Sequence, residues 1–542
     1  MKYVLILFGF LLVFNCKKAE DNKIVETENT QVQTKDLRDF KVTDSKFIDV
    51  DELWIPFNED LKDFTEDTYN NLKPFVLEQD IPTLQKNIRE GKLTYENLVK
   101  FYLYRIRKFD RYNDLSLNSV IALNPNVIQE AKQKDIDLKN RMLKRPLFGM
   151  PIFLKDNINV SGMPTTAGAV ALQDNFTEDS FITKRLKQEG ALILGKTNLS
   201  EWANYFSENS SNGYSAIGGQ TFNPYGRRTI DTGGSSSGSG VAVAANFCVA
   251  AVGSETSGSI LSPSSKNALV GLKPTIGLLS RSGIVPISST LDTPGPMTKN
   301  VVDNAIMLDA MYGEDTSDSK SIKTEWEPDY YSKELKMNGL EGKRFGAFKR
   351  LMKDTLYVNA IEVLKQQGAE IVEIDNEKVE LKEFKRLLNL DMKKDLPAYL
   401  SSWANPSVSV KSVKDVVEFN KTDSLNRMPY GQKLFEGIVA DSATAEEFDA
   451  IKANLKSIGK QFFDVPMEQF QLDAVLSINN YDAGHAAVAE YPALTISMGY
   501  TKAGVPEGLT FIAKPLQEKS LLQWAYAYEK ASKMRKFPEK YD

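Results

Sequence analysis

Three short stretches carry residue types that together could do acyl-transfer chemistry. Lys155 closes the apolar run "PIFLK" within "GMPIFLKDNINVSG". At the end of a buried strand a lysine loses hydration in its charged form, so its pKa falls and the neutral amine becomes a base. Ser235 stands in "TGGSSSGSG", where glycines permit backbone angles other residues avoid and a serine can be aimed at a site. Ser259 stands in "ETSGSI", a small-residue turn whose successive N–H groups can form a nest for an oxyanion. Taken singly, each has an ordinary reading: a lysine lying along apolar surface, a flexible Gly/Ser linker, a surface turn. The Gly/Ser run lacks the "GK[ST]" of a phosphate-binding loop.

The rest of the inventory narrows the chemistry. The chain has 542 residues, one histidine (His485) and two cysteines (Cys16 and Cys248). Most serine and cysteine hydrolases need a histidine base, and common zinc sites need several His or Cys ligands. A hydrolase built here needs another base. His485, in "NNYDAGHAAVAEYP", reads as a packed or surface histidine near the pocket, and Cys248 as a small buried hydrophobe. Two cysteines make no disulfide framework. Lys plus Arg is 67 and Asp plus Glu is 72, a net charge of −5 that offers no basic stripe for nucleic acid.

The elements that must position these residues follow from periodicity. "LTYENLVKFYLYRIRKFD" is amphipathic, with Thr94 as N-cap. "FITKRLKQEGALILGKTN" and "LYVNAIEVLKQQGAEIVEID" each predict a helix, a glycine stop and a short apolar strand. "RFGAF" predicts a strand before the second of them, and "LDAVLSI", "PALTISM" and "GLTFIAK" predict more near the C-terminus, before a final helix in "SLLQWAYAYEKASKMRK". The run "GVAVAANFCVAAV" reads as one buried helix and "LVGLKPTIGLL" as strand. The fold class expected is α/β: one large domain with a mixed sheet covered by helices on both faces. Residues from about 315 to 470 read as a helical, more variable layer over the sheet, and 48–79 as an N-terminal extension packed on the body.

The N-terminus reads as an address. Lys2 precedes an apolar run from Tyr3 to Phe14, then Asn15 and Cys16. The run falls short of the about 20 residues of a membrane span and suits a signal h-region. It resembles a bacterial lipoprotein signal, with 1–15 removed and Cys16 lipidated; Asn15 departs from the small residue usual before such a cysteine. Residues 16–47 are polar and charged and read as a disordered tether. The expected location is the cell envelope, on a membrane through that anchor.

In their order and spacing, Lys155, Ser235 and Ser259 resemble the Ser–cisSer–Lys triad of the amidase signature family. Ser235 follows Lys155 by 80 residues and Ser259 follows Ser235 by 24. The resemblance extends from about Ile81 to Pro538, through "FGMPIFLKDNI", "ILGKTNLSEWA", "GGSSSGSG", "NALVGLKPTIGLLSRSGIVPIS" and "DTPGPMTK". Within the family, "GSSSGSG" and "ETSGSI" are similar to the turns of the peptide amidase branch. Ser257 replaces a residue that is Asp or Gly elsewhere, and Leu261 stands where many relatives carry Arg. The resemblance implies that Ser259 is the nucleophile and Ser235, after a cis Gly234–Ser235 bond, the proton bridge to Lys155. It implies that the backbone N–H groups of Thr256, Ser257, Gly258 and Ser259 hold the oxyanion, with no metal or cofactor and no obligate protein partner. The reaction implied is hydrolysis of a small-molecule or peptide carboxamide. The alternatives are the glutaminase component of an amidotransferase, against which the export signal and Leu261 count, and a non-catalytic envelope lipoprotein. Pocket walls are expected from 200–225 and 390–480, including Tyr205 and Tyr430.

Overall fold

The computed structural model describes residues 40–542 apart from 112, 140–144, 325–326 and 376–377. The signal, Cys16 and the tether up to 39 lie outside the described residues. From Phe40 onward the chain is packed on the body: the Phe40 ring meets Phe222, and Thr43 accepts the N–H of Gln220 (2.9 Å). The polar segment expected to run free to 47 is therefore docked over its last residues, held by Phe40 and by backbone bonds that its composition does not signal.

Among the described residues thirteen strands form in chain order: β1 Val120–Leu123, β2 Pro151–Lys155, β3 Leu192–Thr197, β4 Tyr214–Ser215, β5 Gly219–Gln220, β6 Ala250–Glu255, β7 Val270–Lys273, β8 Thr293–Thr298, β9 Arg344–Phe348, β10 Glu370–Ile374, β11 Ala474–Ile478, β12 Ala493–Tyr500 and β13 Pro506–Ile512. All but β4 and β5 join one 11-stranded mixed sheet, in the order β1-β3-β2-β6-β8-β7-β12-β13-β11-β9-β10. Helices flank it. The pairs β2–β3 and β2–β6 are parallel, and so are β9–β10 and β9–β11; the others are antiparallel. Every residue of β2, β3, β6 and β7 is buried, as strands covered on both faces must be.

The periodic segments fold as their patterns predict. Thr94 caps the helix Tyr95–Phe109 by accepting the Asn97 N–H (3.0 Å). The helices Phe181–Gln188 and Thr355–Gln366 end before Gly190 and Gly368, both at positive φ, and lead into β3 and β10. Two expectations need correction. The run "GVAVAANFCVAAV" is not one helix: the helix Ser237–Ala244 stops, Asn246 takes a left-handed φ of 54°, and Ala250–Val252 enter β6. Small apolar residues suit a buried helix and a buried strand equally, and Asn tolerates the left-handed turn between them. The 315–470 layer is also not uniform. It supplies β9 and β10 at the sheet edge, while its helices from Phe384 onward build a second apolar cluster on Trp202, Phe206, Val285 and Ile287. That part covers the loops at the sheet's rim.

Candidate active site

Lys155 is the last residue of β2, and Leu154 pairs with Val252 of the parallel strand β6. Lys155 and Ser254 therefore emerge side by side at the carboxyl ends of neighbouring parallel strands, where open α/β sheets place their ligands. The Lys155 side chain is completely buried. Nζ lies 2.8 Å from Ser235 Oγ, 2.9 Å from Ser254 Oγ and 3.2 Å from the Ser254 carbonyl. Ser254 Oγ also accepts from the Asn157 amide (2.9 Å). Burial lowers the Lys155 pKa to about 7 against the opposing pull of Asp292 and Glu255. At neutral pH a large share of this amine is therefore uncharged.

Ser235 follows a cis peptide bond from Gly234. Its carbonyl accepts the Ser200 N–H (3.0 Å), and the helix Ser237–Ala244 begins two residues on. The glycines bring this helix onto its neighbours. A Cβ on Gly238 would lie 2.4 Å from the Asn198 carbonyl oxygen and 2.6 Å from the Ser119 carbonyl oxygen. Ser236 then ties the two serine turns together: its N–H donates to the Ser259 carbonyl (3.2 Å) and its hydroxyl to the Ser254 carbonyl (3.1 Å).

The turn Thr256–Ser259 connects β6 to the short helix Leu261–Lys266. Glu255 closes it like a clasp, for its Oε2 accepts the N–H groups of Ile260 (2.7 Å) and Leu261 (3.0 Å). Gly258 sits at φ +87°, where a side chain would meet Asn480. The Thr256 hydroxyl donates to Asp292. The backbone N–H groups of Ser257, Gly258 and Ser259 have no acceptor among the described residues, which leaves them free for an oxyanion. Ser259 is 9% exposed. Its hydroxyl makes no hydrogen bond to Ser235 in this geometry; the two turns are joined by the Ser236 N–H on the Ser259 carbonyl, and hydrogen bonds between reacting side chains commonly tighten only when substrate binds.

A cavity of about 280 Å³ opens beside the turns and touches Asn157, Ser254 and Thr256. Its other walls are Arg281–Ser289, Asp292–Pro294, Ser317–Ser319 and, on the helix Phe384–Ser402 and just beyond, Asp395, Ala398, Tyr399, Ser402 and Trp403. Of the 200–225 segment only Ala203 takes part. Tyr205 and Tyr430 do not line the cavity. The Tyr205 hydroxyl bonds Asn389 (2.8 Å) and the Lys385 carbonyl, and Tyr430 packs edge-on against Tyr214 while accepting the Val42 N–H. Both aromatic rings fill joints between layers. His485 is a packed residue: its ring lies 4.3 Å from that of Phe462, Nε2 is 2.7 Å from the Val379 carbonyl, and burial lowers its pKa. Cys248 is fully buried and its thiol is pushed up to about 12 by that burial. Ser254, Glu255 and Asp292 were not singled out in the sequence. For Glu255 a signal existed: an acid between an apolar strand and a turn that enters a helix is placed to take the helix's free N–H groups.

Residues 97–428 match the Amidase family model. In three dimensions the chain superposes on an amidase family protein from Bacillus anthracis with TM-score 0.87 and 38% identity, covering 92% of this chain and 99% of that one. It superposes on peptide amidase from Stenotrophomonas maltophilia with TM-score 0.81 and 37% identity, covering 85% and 98%. In sequence it is 30% identical over 492 residues to one polypeptide of the glutamyl-tRNA(Gln) amidotransferase of Caldanaerobacter subterraneus, covering 84% of this chain and 97% of that one. With its sheet, its buried lysine and its paired serine turns, the chain belongs to the amidase family and is an enzyme that hydrolyses amide C–N bonds.

Proposed function

We propose that the enzyme cleaves a peptide C-terminal amide or another small carboxamide through an acyl-enzyme on Ser259. Ser259 Oγ attacks the carbonyl carbon while its proton passes to Ser235, whose own proton passes to neutral Lys155. The carbonyl oxygen takes the negative charge and lies against the N–H groups of Thr256, Ser257, Gly258 and Ser259; one such donor contributes about 3 kcal/mol to lowering a barrier of this kind. The C–N bond then breaks, and the departing nitrogen takes the proton back from Lys155 through Ser235. Water enters by the same relay, releases the acid and restores Ser259. The observation that carries this reading is the fully buried Lys155 amine, 2.8 Å from Ser235 and with its pKa lowered to about 7. The 37% identity to peptide amidase supports the carboxamide class. In the alternative, glutamine hydrolysis within an amidotransferase, the substrate carries a carboxylate, and Leu261, fully buried, offers it no cation.

Residues 1–16 support export and lipidation at Cys16, which would hold the enzyme at the cell envelope on a polar tether.

A serine-directed fluorophosphonate probe tests the mechanism. Labelling is expected in the intact enzyme and lost in Ser259→Ala and in Lys155→Ala; full labelling and turnover in Lys155→Ala would overturn it. Ammonia release from amidated peptides, aryl amides and glutamine ranks the substrates. Metabolic labelling with a fatty-acid analogue, lost in Cys16→Ser, tests the anchor.

A further inference from the structure

The cavity beside the serine turns is unbalanced in charge. Arg281, Asp292, Asp318 and Asp395 are the charged residues that line it. Arg281 is hydrogen-bonded to Asp318, with Nε 2.9 Å from Oδ2 and a second nitrogen on Oδ1, and its charge reaches Asp292 and Asp395 only across the cavity, without an ion-pair contact to either. Asp292 is met by neutral donors: the Thr256 hydroxyl and the N–H groups of Ile287 (2.8 Å) and Ser288 (2.9 Å). Asp395 accepts the Ser289 N–H (2.6 Å) and has no ion-pair partner among the described residues, although it is only 9% exposed. The nearby cations are engaged elsewhere. Lys320 pairs with Glu490 (2.9 Å) and donates to the Thr290 carbonyl, and Lys452 pairs with Asp449 (2.7 Å).

Asp391, one helical turn before Asp395, accepts the Ser288 hydroxyl and adds like charge. Burial first, and then the repulsion of Asp391, push the Asp395 carboxyl up to about 6. A carboxylate taken out of water without a counter-charge is expensive. A cation entering the cavity would supply that counter-charge. The same walls carry Trp403 and Tyr399, aromatic neighbours that favour a cation over an anion.

We propose that this cavity receives a protonated amine or a guanidinium borne by the amide substrate, and that Asp395 is the residue that selects it. The proposal rests on the amidase reading above, and concerns the group that fills the cavity rather than the bond that is cleaved. It excludes substrates that present a carboxylate there, because the walls would hold three carboxylates against the one cation of Arg281 before the substrate's own is added.

The experiment measures kcat/KM for paired carboxamides, charged and neutral: N-acetyl-lysine amide against N-acetyl-norleucine amide, and dipeptide amides with free against acetylated N-termini. The intact enzyme is expected to prefer the cationic member of at least one pair by about tenfold or more. In Asp395→Asn that ratio should collapse toward one, chiefly through KM, while Asp395→Glu keeps part of it. Equal or reversed preference in the intact enzyme overturns the proposal without any variant being made. So does a ratio that survives in Asp395→Asn, or a loss that falls equally on both members. If no carboxamide of either kind releases ammonia, the amidase reading fails and this proposal with it; if neutral amides turn over as well as cationic ones, only this proposal fails.

Discussion

In the mechanism proposed above, Lys155 takes the proton and Glu255 holds the turn that ends at Ser259. Lys155 must be neutral to accept a proton, and burial brings its pKa to about 7. kcat/KM is therefore expected to rise with pH, reach half its plateau near pH 7, and fall about tenfold per unit below pH 6. A pH–rate profile whose rising limb lay near the ordinary lysine value would sink this assignment. Stability has the same origin. The folded pKa lies below the unfolded one, so between about pH 7 and 10.5 the unfolded chain binds the extra proton. This group's contribution to stability therefore rises with pH across that window, by at most about 1.4 kcal/mol per unit, and is smallest below it. Lys155→Met removes this group's share of the slope, most plainly between about pH 7 and 8, below the value of about 8 to which burial brings Lys273; denaturation at several pH values reads the difference. Glu255 positions the turn by holding Ile260 and Leu261. Glu255→Ala should lower kcat by about a hundredfold with a smaller change in KM, a loss in line with that for a misplaced oxyanion donor. Glu255→Gln, whose amide oxygen can accept the same N–H groups, should recover most of it.

At the scale of elements, the helix Ser237–Ala244 sets where Ser235 lies, and it can do so because its glycines admit neighbouring backbone. At Gly238 the atoms in the way are the Asn198 and Ser119 main chain, which cannot swing aside as a side-chain end would. Gly238→Ala is expected to destabilise the fold by about 2 kcal/mol or more and to reduce activity through the displaced serine. Gly437, within the helix Lys433–Ala440, has nothing within 4 Å of an added Cβ. There alanine should stabilise by up to about 1 kcal/mol, because only backbone entropy changes. Urea denaturation of the two variants separates close packing from composition; equal effects would mean that the contact at Gly238 does not matter. The sequence marks Gly238 only as one of a Gly/Ser run and does not say what its Cα faces, since a packed and an open glycine differ in their distant neighbours. The stretch 237–255 shows the same limit. Its apolar, small-residue composition announces burial, but periodicity cannot say where helix gives way to strand.

At the scale of the molecule, two apolar bodies meet over the site: the core around the sheet, and the cluster that joins Leu396, Tyr399 and Phe435 to Trp202 and Val285. The segment from Phe40 fastens to the first body near Phe222 and Gln220. A chain starting at residue 40, which keeps every described residue, serves as the reference for kcat/KM and Tm. Starting at residue 49 instead should lower Tm by several degrees, because Phe222, Gln220 and Ile217 lose Phe40, Thr43 and Ser45. A thermal scan of the two truncated forms checks this. Lys155 at the end of a buried strand was legible in the sequence from the apolar run before it, and Ser235 and Ser259 were singled out by their order and spacing after it, whereas the strand β6 that leads into the Ser259 turn was not, because its small apolar residues read equally as helix. The walls of the cavity were legible only in part: Asp395, Ala398, Tyr399, Ser402 and Trp403 fall within the expected 390–480, whereas Arg281, Asp292 and Asp318 lie outside both expected stretches. Asn157, Arg281, Asp292, Asp318, Asp395 and Trp403 come from stretches far apart in the chain and share no spacing. Alternation and helical period record which face of an element is buried, so they determine the elements and their chemistry. Which carboxylates share one cavity, and which of them has no cation beside it, depends on how the layers pack, and only the tertiary structure decides that.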